Sequence, residues 1–471
     1  MNLRRWQDEC IKRALQSFYE QNHFLCLATP GAGKTIMSAV LSQRLLEQGR
    51  IDFVLCFSPS VVTSKGVKAT FSRVLDRSFD GKIGAVGGSY TYQSMLFFHE
   101  DFWSILERHR VLVIFDEIHH CSGTDVGNAN AWGEEILRQV REKAEFTLAL
   151  TGTPWRSDSA PLVLSRYLEG NTQIHCDFVY GLKDAVAEGV CRIPKVVLVD
   201  NDGVAVSGQD SQTTSYNSLG DMLENEKLLS YKHILSDEDA IDDVLSRGCK
   251  RLNEVRRHNP RAGGLVVASC TEHAAYIHRL LVSRFKQTSV LVTYKEVNAS
   301  QRIEQYTGSD TAWIVSVGMV SEGTDIPRLQ VCCHLSRVRT ELYFRQVLGR
   351  ILRVDGESSQ ESWLYTFAEP KLVEFANRLD QELPDQRVVV RAIADIPSES
   401  RICQQAPDSN DVQSSPVSME WSVSDEQDES YTLSQYLAQD GIEELQTFCF
   451  LGLFRESIVD AFDHEPPTSV S

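Results

Sequence analysis

Three short phrases carry residue types whose order and spacing could do chemistry on a phosphate anhydride. Ala28-Thr-Pro-Gly-Ala-Gly-Lys-Thr35 departs from the strict G-x-x-x-x-G-K-[ST] phosphate loop only in beginning with alanine. Gly31 and Gly33, with Ala32 between them, let the backbone turn its N–H groups toward phosphate oxygens. Lys34 supplies charge to the β- and γ-phosphates, and the Thr35 hydroxyl can ligate Mg²⁺. Asp116-Glu-Ile-His119 follows an apolar run. Asp116 there would hold Mg²⁺ through its water shell, and Glu117 would take the proton from an attacking water. Gln346-Val-Leu-Gly-Arg-Ile-Leu-Arg353 spaces Gln346, Arg350 and Arg353 by four and three, on one helical face. Two guanidinium groups on that face can neutralise charge on a transferring phosphoryl group. Singly, each phrase has a plainer reading: a glycine turn, a solvated acidic turn, a basic helix surface.

Two further phrases leave strand edges. Thr151-Gly-Thr153 offers hydroxyls that could hydrogen-bond the acidic phrase and sense its state. Ser321-Glu-Gly-Thr-Asp-Ile-Pro327 sets Gly323 and Asp325 together, which suits a ribose or a sensor contact; an ordinary polar turn is the alternative. His119 and His120 are adjacent, which points their rings apart and argues against a zinc pair.

Positioning these groups requires alternating elements. Phe24–Ala28, Phe53–Phe57, Val111–Phe115 and Phe146–Leu150 read as continuous apolar strands, with a helical pattern from Thr35 to Glu47. Such strands alternating with helices predict α/β architecture with a parallel sheet covered on both faces. Residues 201–217 read as a polar boundary loop and 218–258 as helices, with Ser236 as a cap. A second strand–helix series begins at Gly264 and closes with Trp363–Phe367. The organisation expected is a first domain over 1–200, a connector over 201–260, a second domain over 261–395 and an acidic tail over 396–471. Within the tail, 398–430 reads as disordered and 442–462 as one amphipathic helix.

The net charge is −18, yet 396–471 holds 15 acidic and two basic residues, so the body is nearly balanced and a basic cleft remains open to it. No apolar run approaches the roughly 18–20 residues needed to cross a bilayer, and the opening residues hold no signal-type stretch; a cytoplasmic protein without membrane contact is expected. Twelve scattered cysteines without a C-x-x-C pair read as buried thiols.

In this order and spacing the phrases resemble those of superfamily 2 helicases and translocases of DEAD/DEAH type, especially restriction-enzyme motor subunits and bacterial repair helicases. The resemblance covers about residues 3–370. It implies two RecA-like domains in tandem with ATP and Mg²⁺ between them. It makes Asp116–His119 the second motif, with His119, Thr151 and Thr153 as coupling residues, although Thr-Gly-Thr departs from the usual Ser/Thr-Ala-Thr. Arg350 and Arg353, with Gln346, become groups reaching the nucleotide in trans, and Gly323 and Asp325 belong to a coupling region. Leu3-Arg-Arg-Trp-Gln7 resembles the adenine-reading element, with Gln7 as the base contact. Pro59, Tyr92 and Gln93 lie in phrases that touch the nucleic-acid backbone in that family. The implied partner is nucleic acid, DNA rather than RNA, with Lys65, Lys68, Arg156, Arg337 and Arg339 as candidate basic contacts. An ATP-dependent switch, a defence-complex motor without unwinding of its own, and an RNA helicase remain alternatives. The tail could lie in the nucleic-acid groove, dock a protein partner, or serve only as a solvated appendage.

Overall fold

The computed structural model describes residues 2–153, 160–167, 174–208, 213–226, 229–293, 298–318, 326–355, 361–379 and 446–460. The first sheet contains β1 (His23–Ala28), β2 (Phe53–Ser58), β3 (Gly87–Thr91), β4 (Val111–Asp116) and β5 (Phe146–Thr151). After a small ribbon of β6 (Arg166–Tyr167) and β7 (Ile174–His175), β8 (Phe178–Tyr180) joins its edge. The order is β3-β2-β4-β5-β1-β8, and every pairing is parallel. Strands β1, β2, β4 and β5 are buried along nearly their whole length. Parallel strands covered on both faces need such unbroken apolar runs. Helix α1 (Arg5–Ser17) packs on α2 (Lys34–Glu47) and on β1 and β8. Trp6 anchors it by stacking on Tyr180, with ring centroids 4.8 Å apart.

The second sheet draws on a wider span of chain than expected. It contains β9 (Ile193–Asn201), β12 (Gly263–Ala268), β13 (Ser289–Val292), β14 (Trp313–Ser316), β15 (Leu329–Leu335), β16 (Glu361–Phe367) and β18 (Phe454–Val459), in the order β13-β14-β12-β15-β16-β9-β18. Strand β9 pairs in parallel with β16 over seven residues, from Ile193↔Glu361 to Val199↔Phe367. The expected boundary after residue 200 therefore moves back to about residue 192, because β9 completes the second sheet.

Two other expectations are corrected. The 201–217 stretch contributes a hairpin, β10 (Val204–Gly208) and β11 (Thr213–Tyr216), rather than only a loop. The expected helix over 442–462 is replaced by β17 (Gln446–Phe450) and β18. Strand β17 pairs antiparallel with β10, and β18 antiparallel with β9, so both fill edges that would otherwise be open. Lys195 and Asp460 form an ion pair across the second of these contacts. The 218–258 region is helical as expected, ending in the helix Glu238–Arg256; its cap is Asp237, which accepts from the Ala240 N–H at 2.9 Å, rather than Ser236. Among the described residues the cysteines are free thiols, and no helix is long and apolar enough to cross a membrane.

Candidate functional site

The chain leaves β1 at Ala28 and enters α2 at Lys34. In between, Gly31 and Gly33 lie in the left-handed region, at φ +85 and +95, which a side chain would strain. The loop thus aims the start of a 14-residue helix, with its free N–H groups and positive dipole end, at the space above the sheet. Lys34 is nearly buried; its Nζ donates to the Ala28 carbonyl at 3.1 Å and pairs with Glu117 Oε1 at 3.2 Å. Ala32 is buried, and its carbonyl accepts from Arg4 Nη1 at 2.7 Å.

Gln7 is also buried, and both ends of its amide are engaged: Oε1 accepts from the Arg4 N–H at 2.9 Å, and Nε2 donates to the Gly33 carbonyl at 3.0 Å. Helix α1 thereby braces the loop from behind. The role of Arg4 escaped sequence reasoning, because a lone arginine before a helix carries no signal of the loop it will meet.

Strand β4 delivers the acidic phrase. Asp116 ends the strand, and Glu117 turns back at φ +53, a strained conformation for a residue with a side chain. The turn brings Glu117 Oε2 within 3.3 Å of the Gly152 N–H, which donates to it, and 3.4 Å from His119 Nδ1. The two carboxyls are pushed apart in acidity. Burial, then the neighbouring charge of Glu117, raises Asp116 above the ordinary carboxylate range. At Glu117 burial acts in the same sense but is outweighed by Lys34, His119 and the Gly152 N–H, so this carboxyl is held low.

His119 is buried and connects two domains. Its Nδ1 lies 3.0 Å from Thr151 Oγ1 and 3.5 Å from Thr153 Oγ1; its Nε2 lies 3.5 Å from Gln346 Nε2. Gln346 sits on the helix Glu341–Ile351 of the second domain. Gly349, on the same helix, is where the two domains touch: a Cβ built there would lie 2.6 Å from Pro30 Cβ, so only glycine permits this approach. Arg350 is half-buried one turn beyond Gln346. Arg353 follows the helix; its backbone bridges to Cys191, and its Cγ lies 3.1 Å from where a Cβ on Gly31 would stand. The fully buried Arg192 locks this corner, with Nη1 donating to the carbonyls of Leu329 at 2.8 Å and Ile351 at 3.2 Å.

The donor set fits magnesium carried on phosphates. Thr35 and Asp116 supply a hydroxyl and a carboxylate at the ends of β1 and β4, which are separated only by β5 and so by about 10 Å. No cluster of three or more His, Cys, Asp or Glu that could hold a metal alone occurs among the described residues. A hard cation there would need phosphate and water oxygens to complete its shell.

Other expected positions fare differently. Pro59 is half-buried and Gln93 exposed, beyond the ends of β2 and β3. Tyr92 is corrected: it is fully buried, stacked on Trp132, and its hydroxyl donates to the Asp116 carbonyl at 2.8 Å. It supports the acidic phrase from below and has no face to offer nucleic acid. Arg339 pairs at 2.8 Å with the nearly buried Glu369. Gly323, Asp325 and Arg156 lie outside the described residues.

Residues 1–156 match the family described as type III restriction enzyme, res subunit. An uncharacterized protein of Mycobacterium leprae is 32% identical over 398 residues, a match covering 81% of this chain and 64% of the relative. An uncharacterized protein of Mycobacterium tuberculosis H37Rv is 31% identical over 397 residues, covering 80% of this chain and 63% of the relative. The chain therefore spans a little under two thirds of the length of these relatives. Among solved structures, a fragment assigned as an HsdR subunit of a type I restriction enzyme from Vibrio vulnificus YJ016 superposes with a TM-score of 0.55 at 16% identity, over 79% of this chain and 65% of that one. Two parallel sheets that bring a phosphate loop, an acidic strand end and an arginine-bearing helix to one cleft thus place the chain in a superfamily 2 helicase-like fold, related to the motor subunits of restriction enzymes.

Proposed function

We propose that the protein is an ATP-driven translocase or helicase acting on nucleic acid, most plainly DNA. The observation that carries this reading is the convergence of two domains on one loop: Gln346 meets His119, and Arg353 packs over Gly31. A nucleotide bound there would touch both lobes, so its hydrolysis would change how they sit together.

Bound ATP would supply the reactive anhydride. The loop N–H groups and Lys34 would hold its phosphates, with Thr35 and Asp116 on Mg²⁺ and Gln7 beside the base. Glu117, kept ionised by Lys34 and His119, would orient a water and accept its proton. Arg350 and Arg353 would neutralise charge at the outer phosphate. Gly323 and Asp325, together with Thr151 and Thr153, would relay the state of the cleft to the surface carrying Pro59 and Gln93. Contacts there would fall on phosphates, so binding should be weakly sequence-specific and fall steeply with salt.

The test is ATP turnover with single-stranded, duplex and forked DNA and RNA of equal length, alongside strand displacement and translocation. Stimulation by DNA with movement is expected. Stimulation without movement would favour an ATP-dependent switch or a motor working within a larger defence complex. Stimulation by RNA alone would turn the reading to an RNA helicase, and no turnover at all would end it.

A further inference from the structure

The first domain has a second cavity, of about 310 Å³, at the opposite end of its sheet from the phosphate loop. His23 and Thr147 line it from the starts of β1 and β5. The loop leaves β1 at its other end, and six residues of strand put about 17–20 Å between the two places. Every lining residue is among those described, and none is acidic, although the chain carries a net charge of −18. Leu137, Leu162 and Ala144 provide an apolar wall, and Arg141 and Arg166 bring two guanidinium groups.

Two buried polar atoms of the lining residues lack hydrogen-bond partners among the described residues: His23 Nε2 and Ser165 Oγ. Such atoms are rare in folded proteins and ask for a ligand or ordered water. The polarity at His23 can be assigned. Thr147 Oγ1 donates to the Asn22 carbonyl at 3.3 Å, so it accepts from His23 Nδ1, 2.7 Å away. Nε2 is then a bare acceptor. Burial, opposed by Asp177 and reinforced by Arg166, lowers the imidazole to about 4, so the ring stays neutral at physiological pH.

The wall is also strained. Leu164 lines the cavity at φ +61, a conformation that costs a bulky residue on the order of 1–3 kcal/mol and that gathers at binding sites. Arg166 is already held, by Gln21 Oε1 at 2.5 Å and Asp177 at 2.5 Å, while Arg141 has a single 3.3 Å contact, to the Thr124 carbonyl, and is exposed. Arg141 is thus the cation with donors to spare.

We propose that this cavity is a binding site for a nucleoside monophosphate, separate from the ATP cleft. The volume is at the lower end of small-ligand pockets and suits a single nucleotide. The leucine wall would take the base, His23 Nε2 would accept from a base N–H, Ser165 would complete a polar contact, and Arg141 would hold the phosphate.

The test uses the full chain carrying Lys34→Ala, which removes phosphate binding in the ATP cleft from the measurement. AMP, GMP, CMP and UMP are titrated by calorimetry up to about 1 mM, the weak end of ligand affinity. At least one should bind with unit stoichiometry. Adding Arg141→Ala should weaken it tenfold or more, and adding Ser165→Ala severalfold; both positions tolerate truncation, one being exposed and the other losing only a hydroxyl. The matching nucleoside and inorganic phosphate should each bind at least tenfold more weakly. Absence of binding by all four, affinity unchanged in both added variants, or phosphate alone binding as tightly as the nucleotide would each overturn the proposal.

Discussion

Gln346 reaches His119 across the domain boundary, with its amide nitrogen 3.5 Å from the imidazole Nε2. The polarity of the chain beyond it runs one way. The amide donates to Nε2, so the ring proton sits on Nδ1 and is donated to Thr151 Oγ1 at 3.0 Å, and the Thr151 hydroxyl donates to the Thr153 carbonyl at 2.7 Å. This tautomer satisfies every group in the row. Moving the second domain's helix removes the first donor, and the whole row must then readjust.

Gln346→Ala should therefore lower nucleic-acid-stimulated ATP turnover about tenfold, the equivalent of one hydrogen bond of roughly 1.4 kcal/mol. Affinity for ATP should change little, because the amide lies on His119 rather than on the phosphate loop. His119→Ala should have the larger effect, since it also strands Thr151. Steady-state rates with and without DNA, beside nucleotide titrations, check this; full stimulation in both variants would refute the relay.

Lys34 and Glu117 share one ion pair but should fail differently. Lys34→Ala removes the only side chain that bridges the loop and the acidic phrase, and should abolish most ATP binding or turnover. Glu117→Gln keeps the shape and loses the base, so it should bind ATP while hydrolysing it roughly 10²–10⁴-fold more slowly. Binding and single-turnover measurements separate the two.

Gly349→Ala should split stability from activity. An exposed helical glycine gains about 1 kcal/mol when replaced by alanine. Here the new Cβ would meet Pro30 at 2.6 Å, and overpacking costs about 1–3 kcal/mol. Domains that can separate relieve that clash by parting. The melting temperature should stay near wild type while turnover falls; unchanged turnover would show that this contact is dispensable.

The tail needs two deletions rather than one. Removing residues 446–460 exposes the edge of β9 along the six positions paired with β18 and the edge of β10 as well. A lower melting temperature and concentration-dependent light scattering are expected, because open edges recruit other chains. Removing only residues 398–430 spares those strands and isolates the acidic segment. If that segment competes with nucleic acid, its loss should tighten DNA binding at low salt.

The phosphate loop, the acidic phrase and the arginine helix were legible in the sequence because each is local. Strand, turn and helix lie within a few residues, and Gly31, Lys34 and Thr35 do their work through neighbouring backbone. The alternation of apolar strands and helices likewise showed two parallel α/β sheets. Partner choice was not legible. The apolar run of β9 matches either sheet equally well, and its place beside β16 is settled by which edge is open when the chain packs. Strands β17 and β18 were misread as a helix because a short amphipathic run does not declare its period until an edge pairs with it. Tyr92 was misplaced for a related reason, since its phrase lies near the right surface but its ring fills the core beneath Asp116. The residues themselves specified the reactive groups; tertiary structure alone brought Gln346 to His119, Gly349 to Pro30 and Arg353 to Gly31, because contacts between distant segments depend on geometry that no local spacing records.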